Sequence, residues 1–78
     1  MDDQYERLQA VRAEWRELVR RQNRVGPVSA LWWYLSMELW RTEVEELALS
    51  GLPTGDALQG YCNARVWYQR ACAVEAQL

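Results

Sequence analysis

Apolar residues recur along this chain at helical spacings and divide it into three segments. In the first, about residues 3–24, Leu8, Val11, Trp15, Leu18 and Val25 fall three and four apart, with Gln22 in the missing heptad slot. In the second, about residues 28–49, Trp33, Met37, Trp40, Val44 and Leu47 repeat at four, three, four, three. In the third, about residues 54–76, Ala57, Tyr61, Ala64, Tyr68 and Ala71 form a heptad-like seam that continues through Glu75 to Leu78. Its small residues suit close helix approach, and its tyrosines fill volume beside them. No strand alternation, repeat or low-complexity tract interrupts the pattern.

Breaker residues mark the joints. Gly26-Pro27 should stop the first helix, since glycine permits a left-handed cap and proline cannot continue the helix. Pro27 also suits the first turn of the second helix. Ser50-Gly51-Leu52-Pro53 ends that helix, and Thr54 with Asp56 starts the third. Gly60 should weaken the third helix by about 1 kcal/mol relative to alanine. Short connections favour antiparallel neighbours, so the helices should run up, down, up. The expected fold is all-α: one helical domain over residues 1–78, an antiparallel three-helix bundle or extended helical hairpin, open to oligomerisation.

The second helix carries a further apolar face, roughly opposite the first, made by Leu31, Trp32, Leu35 and Leu39. Glu38, Thr42, Glu45 and Glu46 take over that side in the C-terminal half. A middle helix has two neighbours, so this face is either core or a surface for another chain. Trp15, Trp33, Met37, Trp40, Val44, Tyr61 and Tyr68 are expected to be mainly core. Trp32, Leu35 and Leu39 are the candidates for a subunit or partner interface.

Length sharpens that choice. A chain of 78 residues buries only about 60–65% of its unfolded surface, and such chains rely on good helix packing, cross-links or oligomerisation. Five tryptophans and four tyrosines supply large apolar side chains. Cys62 and Cys72 lie ten residues apart on one predicted helix, about 15 Å along its axis, too far for a disulfide. They read as buried thiols in a reducing compartment. Met1-Asp2-Asp3 is acidic and no apolar stretch follows, so no signal peptide is expected and the expected location is the cytoplasm of a bacterial host. The longest apolar run, Ala30 to Leu35, is far too short to span a membrane.

All nine basic residues are arginine, and the net charge is −2, too small for the whole domain to steer nucleic acid. Asp2, Asp3 and Glu6 open the first helix, and Arg20, Arg21 and Arg24 close it, each set complementing the helix dipole. The hairpin should bring Glu43, Glu45 and Glu46 beside Asp2, Asp3 and Glu6, which would polarise the molecule end to end. Arg12, Arg16, Arg20 and Arg24 recur every fourth residue. They form either a solvated face, with Glu17 relieving Arg20 and Arg21, or a ridge for a phosphate backbone or an acidic protein. Arg16, Arg20, Arg21 and Arg24 are the candidates for electrostatic contact.

Catalytic chemistry is not visible. Without histidine there is no Ser/His or Cys/His nucleophile pair and no imidazole metal ligand, and two lone cysteines do not make a zinc site. No glycine-rich phosphate loop is present. Glu43, Glu45 and Glu46 splay around their helix and do not form an acid/base pair. The helix after Gly26-Pro27 is the most hydrophobic in the chain, unlike the recognition helix of a helix-turn-helix. The expectation is a protein that is no enzyme, with no catalytic, cofactor or metal residue, no cofactor and no small-molecule substrate.

Trp40, Leu47 and Leu49, then Gly51-Leu52 with Thr54 and Asp56, then Tyr61-Cys62-Asn63-Ala64 with Tyr68 and Ala71, make a pattern over residues 38–78 that resembles phage small terminase subunits. That resemblance implies a ring-forming phage protein without catalysis that brings DNA to the large terminase motor. Its interface would use the second and third helices. A second expectation is an anti-defence inhibitor of the anti-CRISPR kind, encoded by a phage or mobile element and acting by protein–protein binding. A third is a helical chaperone or adaptor that buries the Trp32/Leu35/Leu39 face against a client helix.

Overall fold

In the computed structural model, which describes residues 3–27 and 29–78, the three predicted segments are helices: α1 (Asp3–Asn23), α2 (Ala30–Leu49) and α3 (Gly55–Ala76). Val28, the expected start of the second helix, lies outside the described residues. The observed cap is Ser29, in extended conformation, whose Oγ accepts the Trp32 N–H at 3.1 Å. Glu75 of α3 accepts the neighbouring Ala30 N–H at 2.8 Å, so two side chains serve the start of α2.

The other ends differ in detail from the sequence expectation. α1 does not need a left-handed glycine, because Gly51 alone among the described glycines has positive φ, at 72°. α1 stops three residues before Gly26, in tight turns from Arg24 N–H to the Arg21 carbonyl and from Val25 N–H to the Gln22 carbonyl. α2 ends on Gly51, with the Leu52 N–H bonded to the Leu47 carbonyl at 2.9 Å in the six-to-one arrangement of a glycine stop. Thr54 holds the N-cap position of α3, but its hydroxyl makes no capping bond.

The helices run up, down, up. Gln4 reaches the Leu49 carbonyl, and Gln22 bonds to Ser36, which sets α1 antiparallel to α2. Tyr34 meets Tyr68, and the Ala30 amide meets Glu75, which does the same for α2 and α3. The arrangement is open. α2 packs against both neighbours, while α1 and α3 do not meet among the described residues. The Cα positions span 52 × 25 × 13 Å, about half as thick as they are wide. The radius of gyration is 14.2 Å, against about 11.5 Å for a compact chain of this length.

Helical geometry explains the single layer. Thr42 precedes Glu45 and Glu46, both paired with arginines of α1, and Leu35 lies two turns earlier on the same side. Trp33 and Trp40, which touch α3, stand two residues before Leu35 and Thr42, about 200° around the helix. The two apolar faces of α2 thus hold one neighbour each, on opposite flanks. The fully buried apolar residues are Val11, Leu18, Ala30, Leu35, Ala57 and Ala64.

Three expectations change as a result. Trp15 and Trp40, expected in the core, are 40% and 39% exposed, because no helix closes over them. Cys62 is exposed and Cys72 half-buried: Cys62 lies about 200° from Ala64, the residue that seats α3 on α2. Glu45 and Glu46, at the same end as Asp3 and Glu6, pair with Arg7 and Arg12, so the acidic end is partly neutralised. Asp2 lies outside the described residues.

Candidate protein-interaction surface

The layer has two broad sides of opposite character. On α2, Trp32, Ser36, Leu39, Trp40 and Glu43 line one groove together with Trp15 and Gln22 of α1. Its floor is polar. Gln22 donates to Ser36 Oγ at 2.6 Å and to the Trp32 carbonyl at 3.3 Å, and Ser36 donates to that carbonyl at 3.1 Å. Among the described residues no buried side-chain polar atom lacks a partner. Three indole rings therefore stand above a satisfied, fixed base.

The tryptophan surface continues onto α3. Trp32 meets Trp33 edge to face at 4.9 Å, and Trp33 stacks on Trp67 at 5.7 Å with planes 19° apart. The Arg70 guanidinium lies 5.0 Å over the Trp67 ring. A second groove lies beside this stack, bounded by Trp33, Trp67, Arg70, Ala71, Val74 and Glu75. Trp40 crosses α3 at Gly60, where an added Cβ would fall 2.5 Å from the ring. Trp67 follows Gly60 by seven residues and so shares its side of α3. All five tryptophans of the chain border this one side, and Trp67 is 48% exposed.

Moving two residues along α2 from Trp32, Ser36, Leu39 and Glu43 of the first groove leads about 200° around the helix, to Tyr34, Glu38, Arg41 and Glu45. These belong to the opposite side, which is ionic. Arg41 pairs with Glu14 of α1, with Glu38 at 2.7 Å and with Glu45 at 3.6 Å, and Arg7 pairs with Glu45. The hydrogen bond that Arg41 donates to Glu38, against partial desolvation and with help from the one it donates to Glu14, raises the Arg41 pKa and holds its charge. Tyr34 and Tyr68 tilt together there at 5.9 Å. The Tyr68 hydroxyl is held above the usual tyrosine range, chiefly by its interaction with the neighbouring Cys72 sulfur.

The structure separates the residues singled out from sequence. Trp32 and Leu39 line the first groove, half-buried. Leu35 is 1% exposed and lies under α1, inside the fold. Of the arginines, Arg20 is tied to Glu17 at 2.9 Å, the relief expected from its spacing. Arg16, Arg21 and Arg24 are exposed and carry no ion pair among the described residues. Arg20 stands about 200° around α1 from the buried Leu18, which puts it on the outer edge of the layer. Sequence reasoning assigned Trp15 and Trp40 to the core and passed over Trp67. The signal for Trp67 was its place one residue before Tyr68 on the seam, at the border of the packed face.

Apart from Glu43, the acids among the described residues are exposed or paired with arginine, and the described residues contain no group of three or more His, Cys, Asp or Glu placed to hold a metal ion. No described helix is long and apolar enough to cross a membrane. No protein-family model, no curated protein and no solved structure matches this chain.

Proposed function

We propose that the chain is a non-enzymatic helical interaction module whose tryptophan side docks onto protein. One observation carries this: all five tryptophans border one open side of a single-layer fold, while the other side is covered by its own ion pairs. Tryptophan is the residue most enriched among those that dominate interface energies, and contiguous exposed apolar surface marks interaction sites. The assembly module implied by the resemblance to phage small terminase subunits is one form of this function, and an anti-defence inhibitor is another. In either form the outer arginine edge is free to meet an acidic protein or a phosphate backbone, since Arg16, Arg21 and Arg24 carry no ion pair among the described residues.

The test compares tagged wild type with a Trp15→Ala/Trp32→Ala variant, both checked for helix content by circular dichroism. Wild type should be recovered in a complex with a further protein chain, its own copy or another, and the folded variant should be recovered alone. Recovery of both alone, with identical indole emission, sinks the proposal.

A further inference from the structure

We infer that the tryptophan side is covered by a second copy of this chain, face to face, in a two-fold dimer with Arg16 of each copy set against Glu43 of the other. The inference rests on the docking function proposed above and names the occupant.

Surface area is the first argument. A folded monomer of 9.2 kDa exposes about 4,900 Å² by the size scaling of globular proteins. This chain exposes 5579 Å², about 650 Å² more. A standard interface hides about 800 Å² on each partner. The α1–α2 part of the broad side, about two-thirds of 52 × 25 Å, is about 870 Å², close to such a contact. The excess surface is thus close to what one dimer contact removes.

The layer architecture gives the second argument. Domains are built from two packed layers around a core, and this chain supplies one. Three of its six fully buried apolar residues are alanine. A chain with so slight an interior gains most from a second layer, and another copy is the one partner present wherever the chain is made.

Charge placement selects the side and the symmetry. A groove adjoining the first tryptophan groove is walled by Arg12, Trp15, Arg16, Glu43 and Glu46. Arg12 and Glu46 satisfy each other at 3.1 Å. Arg16 on α1 and Glu43 on α2 have no ion-pair partner among the described residues. A two-fold axis lying in the plane of the face, between these two residues, places each Arg16 over the other copy's Glu43. One symmetry operation so pairs both leftover charges twice, at the edge of the tryptophan contact.

Solution mass with charge reversal tests this. Wild type at micromolar concentration should have a mass of about 18 kDa, twice 9.2 kDa, by sedimentation equilibrium. Arg16→Glu alone, or Glu43→Arg alone, should raise the dissociation constant about tenfold or more, because each creates two like-charge contacts. The double reversal Arg16→Glu/Glu43→Arg should restore the wild-type value. Both residues lie at the surface, and circular dichroism confirms that each variant is folded. A wild-type monomer, a ring of many copies, or a double variant no better than the single ones overturns the dimer. If a monomeric wild type still loses a different protein partner through Trp15→Ala/Trp32→Ala, the docking function stands and only the second copy falls.

Discussion

Trp40 lies across α3 at the position where Gly60 has no side chain, and this contact reverses the usual meaning of a glycine within a helix. By propensity alone Gly60 costs α3 about 1 kcal/mol. The structure shows what that position gains: an added Cβ would meet three atoms of the indole at 2.5–2.7 Å. Gly60→Ala should therefore destabilise the chain by about 1–2 kcal/mol, the usual cost of overpacking, despite the better helix former. In a Trp40→Ala background the same substitution should stabilise by up to about 1 kcal/mol. Urea denaturation of the four proteins checks this, and a stabilising Gly60→Ala in the presence of Trp40 would sink the contact. The exchange was not legible in the sequence, because Trp40 and Gly60 are neighbours only once α2 and α3 are aligned.

At the scale of the helices, apolar spacing located all three to within two residues where they are described. Helix ends were harder, because α1 stops by local tight turns and not at its glycine. The open arrangement was not legible at all. Periodicity records how much of a helix is apolar, and two apolar faces on α2 look alike whether the outer helices meet or stand apart. Leu35 illustrates the limit. It shares a sequence stripe with Trp32 and Leu39, yet it is buried under α1 while they line an open groove. Leu35→Ala should cost about 2–5 kcal/mol of stability at any protein concentration, as for other fully buried leucines. Trp32→Ala should act chiefly on association. A Leu35→Ala variant of unchanged stability, measured by thermal melting at fixed concentration, would place that residue outside the interior.

For the molecule as a whole, an incomplete interior ties folding to assembly. If the second layer is another copy, stability rises with concentration by mass action. The melting temperature should climb over a hundredfold increase in protein concentration, and in the Arg16→Glu variant it should climb later, at higher concentration. A melting temperature independent of concentration in wild type, across the range where mass shows association, would uncouple the two. The candidate surface was half legible in the sequence. The tryptophan count and the unusual apolar face of α2 announced a contact, but the gathering of Trp15 and Trp67 beside Trp32 depends on how the outer helices are seated.

The absence of any contact between α1 and α3 among the described residues also bears on how the chain folds in time. Every helix pairing joins consecutive segments, so no distant loop must close before contacts form. α1 and α2 can pair without α3, and α3 adds to a surface already in place. Such a topology has low contact order and belongs with the domains that fold in microseconds to milliseconds. Folding of one copy should then be much faster than the meeting of two. Each newly made chain would spend its first moments as a complete layer with its tryptophans in water, and that interval is set by concentration.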